Sequence, residues 1–65
     1  MSTEIEYEQA VTAAGAGLRL DQLLAAALGS RARATRLIEA GLVLVDGRTV
    51  RKRHSVAVGE RVVVL

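Results

Sequence analysis

No cysteine occurs anywhere in this 65-residue chain, and that one fact removes most of the devices by which so short a chain can hold a fold. A domain of about this size buries only about 60% of the surface its unfolded form exposes, so its stability margin is thin. Disulfides and thiolate metal sites are excluded. The single histidine, His54, cannot complete a zinc shell. Folding must therefore come from aliphatic burial. Apolar residues make up 51% of the chain, with Tyr7 the only aromatic, enough for one thin core and one domain over residues 1–65.

The pattern of those apolar residues changes along the chain. Glu4-Ile5-Glu6-Tyr7-Glu8 alternates charge with bulk, the period of a half-buried strand, so Ile5, Tyr7 and Val11 are expected to face inward. Two glycines within Ala13–Gly17 then mark a turn. From Leu18 to Leu28 the spacing is helical: Leu20, Leu23, Leu24, Ala27 and Leu28 form one stripe. Gly29 suits the end of that helix and Ser30 the N-cap of a second, running from about Arg31 to Ala40. In this second helix Ala34, Leu37 and Ile38 face the core. Arg33 and Arg36 lie opposite, with Arg31 near the boundary.

Val43-Leu44-Val45-Asp46-Gly47-Arg48-Thr49-Val50 reads as a β-hairpin about a two-residue type I′ turn, with Val43, Val45 and Val50 inward. A polar connection, Arg51–Ser55, leads through Val56 and Val58 to a Gly59-Glu60 turn. A last strand, Arg61–Leu65, buries Val62 and Val64. The expected fold class is α+β: a helical hairpin packed on a small, mostly antiparallel sheet.

Charge is distributed unevenly. Between Arg31 and Arg53 seven cations face two anions, whereas two cations face five anions elsewhere. A basic middle beside an acidic start points to a polyanionic partner. The longest apolar run, Leu23–Leu28, is six residues, too short to span a bilayer. The acidic start does not read as a secretory signal, and a cytoplasmic location is expected. The chain ends on a strand without a polar tail, so the natural protein is expected to continue beyond Leu65.

Taken in order, Arg19-Leu20-Asp21, Ser30-Arg31, Ile38-Glu39-Ala40-Gly41, Val43-Leu44-Val45-Asp46-Gly47 and Gly59-Glu60-Arg61-Val62 resemble the S4-type RNA-binding domain. The likeness covers about residues 18–64, with 4–17 as an added N-terminal strand and turn. Asp46 stands where that family usually has Asn, and the proline common after the hairpin is missing. Asp-Gly serves the turn equally, but a carboxylate would repel phosphate and argues against RNA contact at that position. The N-terminal strand and the run through the first helix are similar to the amino-terminal domain of RluA/RluD-like RNA pseudouridine synthases. That resemblance implies a substrate-binding fragment whose catalytic domain lies elsewhere, or a freestanding relative that binds ribosomal RNA.

An S4-type reading makes Arg19, Ser30, Arg31, Arg33, Arg36, Arg48, Arg51, Lys52 and Arg53 the candidate RNA-binding residues. Arg31 and Arg33 open the second helix, where free amides and the helix dipole favour anions and disfavour cations. Eight of the nine cations are arginine, whose planar fork matches phosphate oxygens. A common basic patch over helix and hairpin is expected. Other readings stay open: Arg33 and Arg36 as a solvated helix face, Arg48 to Arg53 as protection of an edge strand, Arg19 as a partner of Asp21. Asp21 is expected to order the first helical turn, and His54 to be an exposed polar residue.

The polyanion is read as structured RNA, ribosomal or transfer. Without aromatic platforms, recognition should be of backbone and shape. A basic module for an acidic protein partner is the alternative. No nucleophile–base pair, metal constellation or glycine-rich phosphate loop appears, so neither catalysis nor a cofactor is expected of this chain.

Overall fold

In the computed structural model, which describes residues 4–65, the elements run β1 (Tyr7–Ala10), α1 (Leu20–Leu28), α2 (Arg31–Glu39), β2 (Val43–Val45), β3 (Arg48–Thr49) and β4 (Arg61–Val64). Residues 1–3 of the expected domain lie outside the described residues. The strands form one antiparallel sheet in the order β1-β4-β2-β3. The last strand therefore inserts between the first strand and the hairpin. The architecture is the expected one, a helical hairpin laid on a small antiparallel sheet.

Register explains which side chains form the core. Val64 lies between Tyr7 and Val43, and Val62 between Gln9 and Val45, two rows on the face toward the helices. Val43, Val45, Val62 and Val64 are all essentially sealed from solvent. From the other layer come Leu20, Leu23 and Leu24 of α1 with Ala34 and Ile38 of α2. Each fully buried Leu or Val contributes roughly 1.5–3 kcal/mol. Val11 and Val56 close the ends of this interior. The Ala13–Gly17 turn passes close to it, since a Cβ on Gly15 would stand 3.1 Å from the Leu23 Cδ1.

The structure corrects four sequence expectations. Ile5 is 54% exposed, because paired register begins at Tyr7 and Ile5 lies beyond it. Helix α1 starts at Leu20 rather than Leu18. Residues 17–19 bond to residues 55 and 56 instead, with Arg19 extended in a bridge to Ser55, the Gly17 amide donating to Val56 O (2.8 Å) and the Val56 amide to Leu18 O (3.0 Å). Ala27 is exposed; its single methyl is too short to reach back from the last turn, while Leu28 is half-buried. His54 is half-buried too, with Nε2 3.3 Å from both carboxylate oxygens of Glu60.

The joints between elements follow local chemistry. Gly29 ends α1 at φ 75°, and the next residue, Ser30, begins α2 as its N-cap, Oγ accepting from the Arg33 amide at 3.2 Å. Asp46 and Gly47 have φ 51° and 80°, the positive pair that a type I′ turn requires. Asp46 also ties the hairpin to β4. Its Oδ1 accepts from the Arg61 amide (2.9 Å) and its own amide donates to Arg61 O (2.9 Å).

Candidate nucleic-acid interface

The beginning of α1 is built from three segments. The amide of Leu20 donates to His54 O (2.8 Å) and that of Asp21 to Lys52 O (3.2 Å). These are helix-terminal donors with no partner inside their own helix, satisfied here by the loop after the hairpin. Thus Arg51, Lys52 and Arg53, remote in sequence, are stapled beside Arg19. The Arg19 amide in turn donates to Gln22 Oε1 at 3.2 Å.

Beneath these cations lies Asp21, the one buried charged residue described, 2% exposed. The Arg19 guanidinium grips it side-on, Nε to Oδ1 at 3.1 Å and Nη2 to Oδ2 at 2.9 Å. Arg31 approaches the same Oδ2 from the start of α2, at 4.0 Å. The Gln22 amide donates to Oδ1 at 2.9 Å. Asp21 does order the first helical turn, and it also collects two guanidinium groups.

Arg33 and Arg36 lie elsewhere. At about 100° per residue Arg33 and Arg36 lie about 60° apart on one side of α2, Arg31 lies away from both, and Glu39, at the other end of the helix, falls between Arg36 and Arg31. Glu39 meets Lys52 Nζ at 3.7 Å, which ties that end to the hairpin loop. Ile38, Glu39 and Val50 to Arg53 line a depression of about 340 Å3 there. Arg33 instead pairs with Glu6, ahead of β1, and with Arg36, Leu37 and Ala40 lines a separate hollow.

The expected single patch is thus divided. Arg19 and Arg31 gather at Asp21, and Arg51, Lys52 and Arg53 follow from a loop whose backbone is bonded there, their side chains lining the depression beside Ile38 and Glu39. Arg33 and Arg36 form a second group, one of them held by a carboxylate. Arg48 sits on edge strand β3, exposed, in neither group. Among the described residues Arg36, Arg48, Arg51 and Arg53 have no carboxylate partner. Ser30 gives one lone pair to the cap and keeps its O–H free to donate. Arg61, outside the predicted set, pairs with Glu8 on the neighbouring strand.

Of the carboxylates that shape this surface, Asp21 was visible in the sequence, since Arg-x-Asp at a helix start places the two groups within reach. Glu6 was not. Its encounter with Arg33 joins residues 27 apart and depends on the sheet order. No three of the described His, Asp or Glu residues cluster as a metal site, and no described helix is long and apolar enough to cross a membrane.

The sequence model of one family, described as S4 domain, matches residues 18–62, well over half of the chain. No curated protein and no solved structure gives a match.

Proposed function

This chain belongs to the S4 domain family of RNA-binding modules, and on that premise we propose that it recognises the backbone of a folded ribosomal or transfer RNA through Arg19, Ser30, Arg31, Arg51, Lys52 and Arg53. The observation that carries the reading is the convergence of the two helix starts and the loop after the hairpin at Asp21, which brings the guanidinium groups of Arg19 and Arg31 together and bonds the backbone of the basic Arg51–Arg53 loop beside them. Arg33 and Arg36 add a second, adjacent contact, and Arg48 a peripheral one. Phosphates held this way release counterions, so affinity falls with salt.

The chain itself carries out no reaction in this proposal. It delivers RNA to a catalytic domain attached in the natural protein, and a cytoplasmic RNA pseudouridine synthase is the enzyme class that the sequence pattern favours. The likeness of the N-terminal strand and first-helix run to that class supports this narrower reading.

A gel-shift panel of ribosomal and transfer RNA stem–loops against duplex DNA of matching sequence tests the proposal. If about four phosphates are engaged, the log–log salt slope should be about −3. Changing Arg31, Arg51 and Arg53, all exposed, together to Ala should remove most of that slope with the fold intact. Equal affinity for RNA and DNA would defeat the choice of RNA, and an unchanged triple variant would defeat the site.

A further inference from the structure

A carboxylate on a phosphate-binding surface is unfavourable by simple charge counting, yet Asp21 sits at the centre of this one. We infer that Asp21 is a positioning residue for RNA binding: its buried carboxylate fixes the Arg19 fork and draws the Arg31 guanidinium toward it, so that the outward N–H groups of the two take a single phosphate. The inference rests on the RNA-binding reading above and assigns a role within it.

The geometry argues for this in three ways. First, the carboxylate is inside and the cations are outside: side-chain exposure is 3% for Asp21 against 39% for Arg19 and 66% for Arg31. A phosphate therefore meets the guanidinium edges and not the anion. Second, the Arg19 pair is side-on and uses Nε and one Nη2 hydrogen. A guanidinium has five N–H donors, so three remain, aligned by the bond to Asp21. Third, Arg31 comes from another helix and approaches the same Oδ2, so one buried anion sets the spacing of two cations that local sequence does not relate.

Arginine side chains are costly to immobilise, up to about 2 kcal/mol each in rotamer freedom. A fork already fixed in the free protein lowers that cost at binding. The Asp21 amide adds to the arrangement, because its bond to Lys52 O anchors the basic loop at the same point.

The test compares two substitutions that each remove one negative charge. The parent chain, Asp21→Asn and Glu39→Gln are titrated with a labelled RNA stem–loop of one helical turn, and their thermal unfolding is recorded in parallel. Charge counting expects both variants to bind more tightly. The positioning role expects opposite signs: Glu39→Gln, which frees Lys52, tightens binding about twofold, and Asp21→Asn weakens it about tenfold at a temperature where it is folded. Folded Asp21→Asn that binds as tightly as the parent, or more so, overturns the inference.

Should Asp21→Asn not fold, Arg19→Lys decides, because it keeps the charge and loses the side-on fork. It is expected to weaken binding severalfold, and parental affinity in that variant overturns the inference equally. If the parent chain binds no RNA, the functional reading itself falls and this inference with it. A parent that binds, with Asp21→Asn unimpaired, removes the positioning role alone.

Discussion

The two helices are the same length, nine residues, but begin differently. At the start of α1 the amides of Leu20, Asp21 and Gln22 all have acceptors, two of them carbonyls of the hairpin loop and one the Asp21 carboxylate. At the start of α2 only the Arg33 amide is taken, by Ser30 Oγ; none of the described residues accepts from the amides of Arg31 and Ala32. Charge follows the opposite sense. An acid sits where the α1 dipole favours one, and two arginines sit where the α2 dipole disfavours them. The first helix start is a closed structural joint. The second is an open donor set with cations beside it, the arrangement that anions fit.

If α1 begins in a joint, damage there should cost stability first. Leu20 is fully buried and its amide holds the loop, so Leu20→Ala should destabilise the chain by about 3 kcal/mol. For so small a domain that is a large part of the total, and urea titration should find the variant substantially unfolded. A loss below about 1 kcal/mol would show that α1 and the loop are held together by something else.

The open start should respond in the opposite manner. Arg31→Ala removes a largely exposed side chain, and its unfolding temperature should stay close to that of the parent. RNA affinity should drop about tenfold, equivalent to about 1.4 kcal/mol. An equal loss from Arg48→Ala, out on the edge strand, would erase the distinction between the two regions.

Ser30 separates capping from binding. Ser30→Ala should cost about 1 kcal/mol of stability through the lost acceptor for the Arg33 amide. Ser30→Asp restores an acceptor and suits the dipole, so stability should return to the parental value or above. Its carboxylate would stand where phosphate is expected, and affinity should fall severalfold. Binding that merely tracks stability across the two variants would mean that the α2 start only caps.

These contrasts also show what the sequence could convey. Periodicity located both helices, and Asp46-Gly47 located the hairpin, because each depends on neighbours a few residues apart. The inward valines of β2 and β4 were legible for the same reason. Ile5 was misjudged because alternation reveals which way a strand faces but not where its pairing ends. The common basic patch failed differently. Arg31 and Arg33 are neighbours in sequence, yet about 200° of helical rotation separates them. Arg31 meets Asp21 across the packed helices, whereas Arg33 meets Glu6 only once β4 has inserted beside β1, a long-range event. Asp46, which occupies the usual Asn position, has an acceptor role toward the Arg61 amide that either residue could fill.

The finest distinction concerns how far the open start extends around α2. Glu6 pairs with Arg33, and both side chains are about half exposed, so the pair itself should be worth well under 1 kcal/mol. Glu6→Gln should leave unfolding unchanged while releasing a guanidinium one turn from Arg36. If RNA reaches that side, affinity should rise about twofold and the salt slope should steepen by up to about one unit. Adding Arg33→Ala to Glu6→Gln should then abolish the gain. If affinity and slope are the same with and without Glu6→Gln, RNA stays on the Arg31 side, and the second group of arginines is a solvated face.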